Sequence, residues 1–266
     1  MLIGVDPILL RYGPVTLTWQ GLFIGIAILV GLSSAARHLA AACLHPDLAY
    51  DAAILIVPAG IIGARLFHVA DAWNYYAYHP LQVVAFSEGG YSVYGAIVFG
   101  TIASLIFARA RRLPLGRFFD ATAVPQALAL AIGEVGDFLT GAYLGRPTTS
   151  IFAVKYVNTQ AFDQSHTFVY PAAAFEILWN LAIIAVLHRV AGNATSGRRF
   201  WLFTFLFALG QLWTGFFRDL PIDLAGLGQD QLIAVAFLAA SVVALTLITV
   251  RSHLRPVPTA TPSEFS

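Results

Sequence analysis

Seven long apolar stretches divide this chain, and each is long enough to cross a lipid bilayer as a helix. A spanning helix needs about 20 residues. The stretches cover residues 17–42, 50–70, 91–108, 119–139, 169–188, 200–217 and 231–250. Of the 266 residues, 58% are hydrophobic and 11% are charged, whereas about 25% are charged in a soluble domain. The sequence therefore predicts an all-α integral membrane protein with about seven transmembrane helices.

The same pattern predicts one membrane-embedded domain over residues 1–255, with an outer loop at about 140–167. Residues 256–266 are polar and contain proline, so we expect a disordered tail there. The opening residues lack the basic start and small-residue cleavage site of a cleavable signal peptide.

The distribution of basic residues predicts the orientation. One side of the predicted membrane holds ten of the fifteen: Arg37, Arg109, Arg111, Arg112, Arg117, Arg189, Arg198, Arg199, Arg251 and Arg255. The other side holds Arg11, Arg65, Arg146, Lys155 and Arg218. Because cytoplasmic loops are enriched in Lys and Arg, the N-terminus is predicted outside and the C-terminus in the cytoplasm.

Composition also excludes several classes of function. A net charge of +1 argues against a nucleic-acid surface. A single cysteine, Cys43, cannot form an internal disulfide or a thiolate metal site. The only lysine, Lys155, lies in the predicted outer loop, so a retinal Schiff base inside the bundle is excluded. A channel would need rings of like charge along a pore, and the sequence shows none. We expect no metal or cofactor.

Two carboxylates at the end of the fourth stretch are the most informative polar residues. Glu134 and Asp137 lie three residues apart and so share one helix face. Two close carboxylates can share a proton and supply an acid and a base together. The alternative is a solvated helix end. Ionisable residues at membrane depth are costly, and the surrounding glycines suggest a backbone that approaches something closely.

Other polar residues at the ends of the apolar stretches leave two interpretations open. Arg65 can hold a lipid phosphate through its planar guanidinium group, or extend that group to the membrane–water interface. Glu176 needs a cationic partner, for which Arg218 is the candidate, in either a structural ion pair or a substrate site. Tyr94 is either an interfacial tyrosine or an acid–base group.

Several motifs, taken in order, resemble those of the bacterial prolipoprotein diacylglyceryl transferases. The segments that carry the resemblance are DPILLRYGPVTLTWQGL at 6–22, GARLFHV at 63–69, SEGGYSVYGA at 87–96, GEVGDFLTGAYLGR at 133–146, VYPAAAFE at 169–176, QLWTGFFR at 211–218 and Gly228-Gln229. Their order and spacing match the family along nearly the whole chain, and seven spans with an outside N-terminus is also that family's architecture.

The resemblance implies an enzyme that moves a diacylglyceryl group from phosphatidylglycerol to a prolipoprotein lipobox cysteine and releases glycerol phosphate. It implies a multi-pass protein of the bacterial plasma membrane, whose partners are a phosphatidylglycerol-like phospholipid and a prolipoprotein signal peptide. The implied head-group ligands are Arg65, Gly145, Arg146, Glu176 and Arg218. If the chain is an enzyme of this family, we expect Tyr94, Glu134 and Asp137 to form its acid–base set.

The sequence departs from the family pattern at several polar positions, which makes it a divergent member. Glu134 and Asp137 stand where the family motif has arginine and asparagine, and Tyr94 stands where it has histidine. The other departures are Gln20, Ala142, Tyr170, Ala173, Phe175, Phe207, Gln211 and Gly215. Two hypotheses follow: an enzyme with a rebuilt acid–base set, or a non-catalytic paralogue that keeps the cleft and binds lipid or lipoprotein.

Overall fold

A computed structural model describes residues 1–13, 15–85, 90–142, 145–158, 167–190, 197–219 and 226–253. Within these ranges the helices are α1 (Trp19–Ala41), α2 (Leu48–Asp71), α3 (Trp73–Tyr76), α4 (Val93–Ala110), α5 (Leu115–Thr140), α6 (Ala172–Arg189), α7 (Arg198–Thr214) and α8 (Gln229–His253). Short 3-10 turns occupy Pro80–Val84 and Gly215–Phe217. The predicted tail and parts of the predicted outer loop lie outside the described residues.

The seven predicted apolar stretches all lie on helices whose ends differ from the prediction by a few residues. Among the described residues six helices are long and apolar enough to cross a membrane, namely α1, α2, α5, α6, α7 with its 3-10 extension, and α8. The apolar part of α4, Tyr94–Ala110, is shorter. The prediction of a mainly helical membrane protein is confirmed.

Large apolar side chains remain exposed on the surfaces of these helices. Ile54 on α2 is 77% exposed, Leu178 on α6 is 66% exposed, and Val243 on α8 is 58% exposed. Contiguous apolar surface of this kind is rare in soluble monomers. Lipid is the solvent that such helices fit, because it neither competes for hydrogen bonds nor penalises apolar area.

Two small strand pairs add structure that hydropathy did not predict. Strand β1 (Leu2–Ile3) pairs in parallel with β4 (Lys155–Tyr156), and β2 (Ile8–Tyr12) pairs antiparallel with β3 (Val15–Thr18). A buried apolar cluster of Ile3, Val154, Tyr156 and Val169 supports the first pair. Part of the predicted outer loop is therefore ordered against the N-terminal residues.

The chain divides into two compact units, the first made of Met1–Ala27 with Ala127–Ser266 and the second of Ile28–Gln126. In the second unit α2 and α4 cross with their backbones in contact. A Cβ atom added to Gly95 would lie 2.1 Å from the carbonyl oxygen of Gly63, and one added to Gly63 would lie 2.4 Å from Phe99. Only glycine permits this approach.

Candidate functional site

The first unit contains a buried ion-pair network at the ends of three helices. From Arg218, just past α7, Nη2 donates to Oε1 of Glu176 on α6, and Nη1 donates to Oδ2 of Asp230 on α8 at 3.2 Å. Arg218 is 5% exposed and Glu176 is 3% exposed. Gln211 on α7 donates to the second carboxylate oxygen of Glu176 at 3.2 Å. The predicted partnership of Glu176 with Arg218 is confirmed.

Glu134 and Asp137 lie beside this network on the last turns of α5. The Glu134 carboxyl group lies within electrostatic range of Glu176, Asp137 and Arg218. Glu134 is buried, so the alternative of a solvated helix end is wrong for this residue. Asp137 is half-buried, and its Oδ1 accepts a hydrogen bond from Gln20 Nε2 at 2.6 Å. We call Glu134, Asp137, Glu176, Arg218 and Asp230 the acidic cluster.

A close contact between α5 and the start of α1 positions Asp137. A Cβ atom on Gly136 would lie 2.8 Å from Cα of Gln20 and 3.0 Å from Cβ of Phe23. A larger residue at 136 would separate the helices and break the hydrogen bond from Gln20 to Asp137. The glycine therefore has the role that the sequence suggested, which is close backbone approach.

Gly145 and Arg146 are fixed beside the cluster by backbone pairing. Gly145 forms an isolated antiparallel β-bridge with Arg218, and the amide of Arg146 donates to the Phe217 carbonyl at 2.8 Å. A Cβ atom on Gly145 would lie 2.0 Å from the carbonyl oxygen of Tyr170, so only glycine fits. Arg146 is half-buried, and its Nε donates to the Arg218 carbonyl at 3.0 Å. Arg146 thus lies at the edge of the acidic cluster.

Arg65 belongs to the second unit and is enclosed by backbone carbonyls. Its Nε donates to Val83, Nη1 donates to Gly90, and Nη2 donates to Gln82 and Ala85, over 2.5–3.2 Å. The Tyr76 ring lies 5.4 Å from the guanidinium carbon, and Arg65 is 2% exposed. The guanidinium group is therefore held by the backbone of the segment that follows α3 and is shielded from water. Tyr94, half-buried in the first turn of α4, belongs to the same unit.

The second unit also carries an apolar groove of about 460 Å³ along α2 and α4. Small side chains on both helices leave this space open. Its lining residues are Ile56, Val57, Gly60, Ile61, Ala64, Tyr91, Ala96 and Gly100.

Sequence reasoning missed Asp230, and it noted Gln20 only as a departure from the family pattern. Asp230 lies in the first turn of α8, where an acidic residue is ordinarily explained by the helix dipole. Gln20 opens α1, and a polar residue entering a spanning helix is the signal that could have found it. Asp137, the partner of Gln20, lies 117 residues away, and Arg218, the partner of Asp230, lies 12 residues away across a turn of the chain, so neither contact is visible in the local pattern.

Comparison with known proteins gives consistent matches along the chain. A family model described as prolipoprotein diacylglyceryl transferase matches residues 7–247. The phosphatidylglycerol–prolipoprotein diacylglyceryl transferase of Nostoc sp. is 31% identical over 267 residues, covering 97% of this chain and 93% of that protein. The protein of the same name from Trichormus variabilis is 30% identical over 95% of this chain. That from Frankia alni is 34% identical over 95% of this chain and 67% of its own length.

Proposed function

The chain belongs to the prolipoprotein diacylglyceryl transferase family, and on that premise we propose that it transfers a diacylglyceryl group from a phospholipid to a prolipoprotein cysteine in the bacterial plasma membrane. The observation that carries the proposal is the acidic cluster. Glu134, Glu176 and Arg218 are buried, and Asp137 and Asp230 are half-buried. Ionisable groups among apolar helices are too costly to retain without a use. They lie beside Arg146, a half-buried cation suited to a phosphate.

The reaction requires a base and an anion-binding group. The cysteine sulfur attacks the glyceryl carbon that bears the phosphate oxygen, so that an S–C bond forms and the C–O bond breaks. The electron pair of that bond leaves with the phosphate of the head group, and the thiol proton passes to a base. The attacked centre and the leaving phosphate must be held together, which is a matter of positioning and electrostatics.

We assign the proton acceptor to Asp137. It is half-buried and so can be reached by a substrate, whereas Glu134 is buried. The hydrogen bond from Gln20 holds one oxygen of Asp137 and orients the carboxylate. Glu134 is the second carboxyl group of the proposed acid–base set, and Arg146 and Arg218 are the proposed head-group ligands in the same unit.

Arg65 and the apolar groove have supporting roles in the proposal. With Nε and both Nη atoms of Arg65 bound to the carbonyls of Gln82, Val83, Ala85 and Gly90, this arginine positions the backbone at those four residues. The groove along α2 and α4 has the apolar lining that an acyl chain needs.

The second candidate function is non-catalytic binding of lipid or lipoprotein. The observation that favours it is the exchange of polar groups at Tyr94, Glu134 and Asp137, where the family motifs have histidine, arginine and asparagine. A binding protein keeps the cleft without needing those groups. The two functions differ in turnover and not in lipid occupancy.

We expect the chain to lipidate a lipobox reporter in cells depleted of their own transferase. Asp137→Asn should reduce lipidation at least about a hundredfold, because removing a general base costs about 10²–10⁴ in rate. The readout is the mass of the reporter with and without the diacylglyceryl thioether. Asp51→Asn changes an exposed helical carboxylate of the second unit and serves as the matched control. If no thioether forms in any membrane composition, catalysis is contradicted and the non-catalytic binding function remains.

The proposed topology has seven spans with the N-terminus outside. It counts α4 as a span in addition to the six longer helices. Cys43, exposed after α1, is a native probe that should react with a membrane-impermeant thiol reagent only after permeabilisation. Thr149→Cys in a Cys43→Gly background should react in intact cells. Glycine is chosen because Cys43 has φ +57°. Labelling of Cys43 in intact cells would reverse the orientation.

A further inference from the structure

The connection between α4 and α5 begins with a turn that ordinarily uses glycine. The amide of Leu113 donates to the Ala108 carbonyl at 2.8 Å, and that of Arg112 donates to the Arg109 carbonyl at 3.0 Å. This pair of hydrogen bonds is the Schellman ending of a helix. Arg112 occupies its left-handed position, with φ +52°. Glycine adopts this conformation at less cost, so the geometry of the turn does not explain an arginine here.

Arg117 is a second cation at a position that local structure disfavours. It lies in the first turn of α5, where the helix dipole favours an anion. Arg109, in the last turn of α4, is a third cation nearby. All three arginines are exposed, and in the described part of the chain their guanidinium groups form no hydrogen bond or ion pair. We call Arg109, Arg112 and Arg117 the basic turn.

A buried apolar cluster beneath the basic turn fixes the two helix ends that carry it. The rings of Phe107 on α4 and Phe118 on α5 lie 6.1 Å apart, and Leu113 packs against the same cluster. Asp51, a carboxylate at this end of the unit, is already paired with Arg111. The three positive charges are therefore concentrated on a rigid base, and an anion brought to them would meet a largely preformed site.

A lipid-facing stripe of α4 leads directly to the basic turn. Val98, Ile102 and Ile106 are 37%, 49% and 57% exposed. Their four-residue spacing places them on one face of the helix, and Arg109 continues that face three residues later. Apolar surface that suits an acyl chain thus ends at a cation that suits a head group. A phospholipid can use both parts of this surface, whereas a soluble anion can use only the arginines.

We propose that the basic turn binds the phosphate of an anionic phospholipid whose acyl chain lies along Val98, Ile102 and Ile106. Guanidinium groups donate charge-assisted hydrogen bonds to phosphate, and clustered arginines at a membrane surface select anionic lipids. The site lies at the opposite end of α4 from Tyr94, about 27 Å along this 18-residue helix. In the proposed topology it faces the cytoplasmic leaflet, so it is a lipid site additional to that of the transfer reaction.

The test titrates the full-length chain in detergent with dioctanoyl phosphatidic acid, dioctanoyl phosphatidylcholine and glycerol phosphate. Phosphatidylcholine has the same tails on a zwitterionic head group, and glycerol phosphate has the same anion without tails. Native mass spectrometry counts each bound molecule, so this site is read separately from a donor lipid bound elsewhere. We expect phosphatidic acid to bind at least tenfold more tightly than either of the other two.

Arg112→Gly separates lipid binding from stability. It removes one charge and places glycine in the left-handed position, so the affinity of one phosphatidic acid should fall at least fivefold. The thermal midpoint without lipid should stay the same or rise, because glycine adopts this conformation more readily. Arg109→Gln combined with Arg117→Gln should bind one phosphatidic acid fewer than the wild type.

Arg251→Gln is the matched control, because it makes the same change of charge at an exposed helical arginine of the first unit. It should leave the count and the affinity unchanged. Equal binding of phosphatidic acid and phosphatidylcholine would overturn the proposal, as would wild-type binding by both Arg112→Gly and the double variant, or an equal loss in the control. Glycerol phosphate binding as tightly as phosphatidic acid would assign the arginines to a soluble anion and overturn the lipid site.

Discussion

Arg218→Met is expected to destabilise the folded protein by about 3–5 kcal/mol, the usual effect of removing one partner of a buried ion pair. The substitution leaves Glu176 buried with no positive charge on it and removes the Arg218 donor from Asp230. Methionine preserves most of the side-chain volume, so the loss reports on charge more than on packing. The measurement is the thermal midpoint in detergent, followed by tryptophan fluorescence at a fixed scan rate, since membrane proteins often unfold irreversibly.

Arg111→Met is the matched control for this experiment. Arg111 also pairs with an aspartate, Asp51, at 2.9 Å, but the side chains are 55% and 42% exposed. Exposed pairs contribute about 0–1 kcal/mol, so the control should shift the midpoint little. Adding Glu176→Gln to Arg218→Met should recover part of the loss by removing the orphaned charge. Equal effects of Arg218→Met and Arg111→Met would contradict the buried network.

Gly95→Ala is expected to destabilise the packing of α2 against α4 by about 3 kcal/mol, at the upper end for overpacking. The new methyl group would lie 2.1 Å from the Gly63 carbonyl oxygen and 2.6 Å from its carbon. These are backbone atoms, so no side-chain rotation can relieve the contact and the helices must separate. The measurement is the same thermal midpoint, with the folded yield after extraction as a second readout.

Gly100→Ala on the same helix is the control for crowding. A Cβ atom at that position would meet only Ile56 Cγ2 at 3.8 Å, an ordinary van der Waals distance. Alanine is the better helix former by about 0.5–1 kcal/mol, so this variant should be neutral or slightly stabilised. A similar loss in both variants would mean that glycine at 95 is not needed for close approach.

The positions of the helices were predictable because hydropathy is a local property. About 20 consecutive apolar residues suffice to define a span, and α1, α2 and α8 begin and end within a few residues of their apolar stretches. The pairing of Glu176 with Arg218 was also predictable, because a buried carboxylate demands a cation and few were available at that depth. The strand pair of β1 with β4 was not, since two-residue strands carry no periodic signal.

The sequence by itself determined a helical membrane protein of a known family. It also determined which polar side chains at membrane depth must have hydrogen-bond or charge partners. The tertiary structure decided which groups satisfy them. Gln20 and Asp137 are 117 residues apart, and the donors of Arg65 bind carbonyls 17–25 residues away. Neither pairing can be read from a local pattern, because each depends on how closely two segments approach. Burial likewise turns Glu134 from an ordinary helix-end carboxylate into a carboxyl group enclosed beside Glu176, Asp137 and Arg218, since only packing decides whether water reaches it.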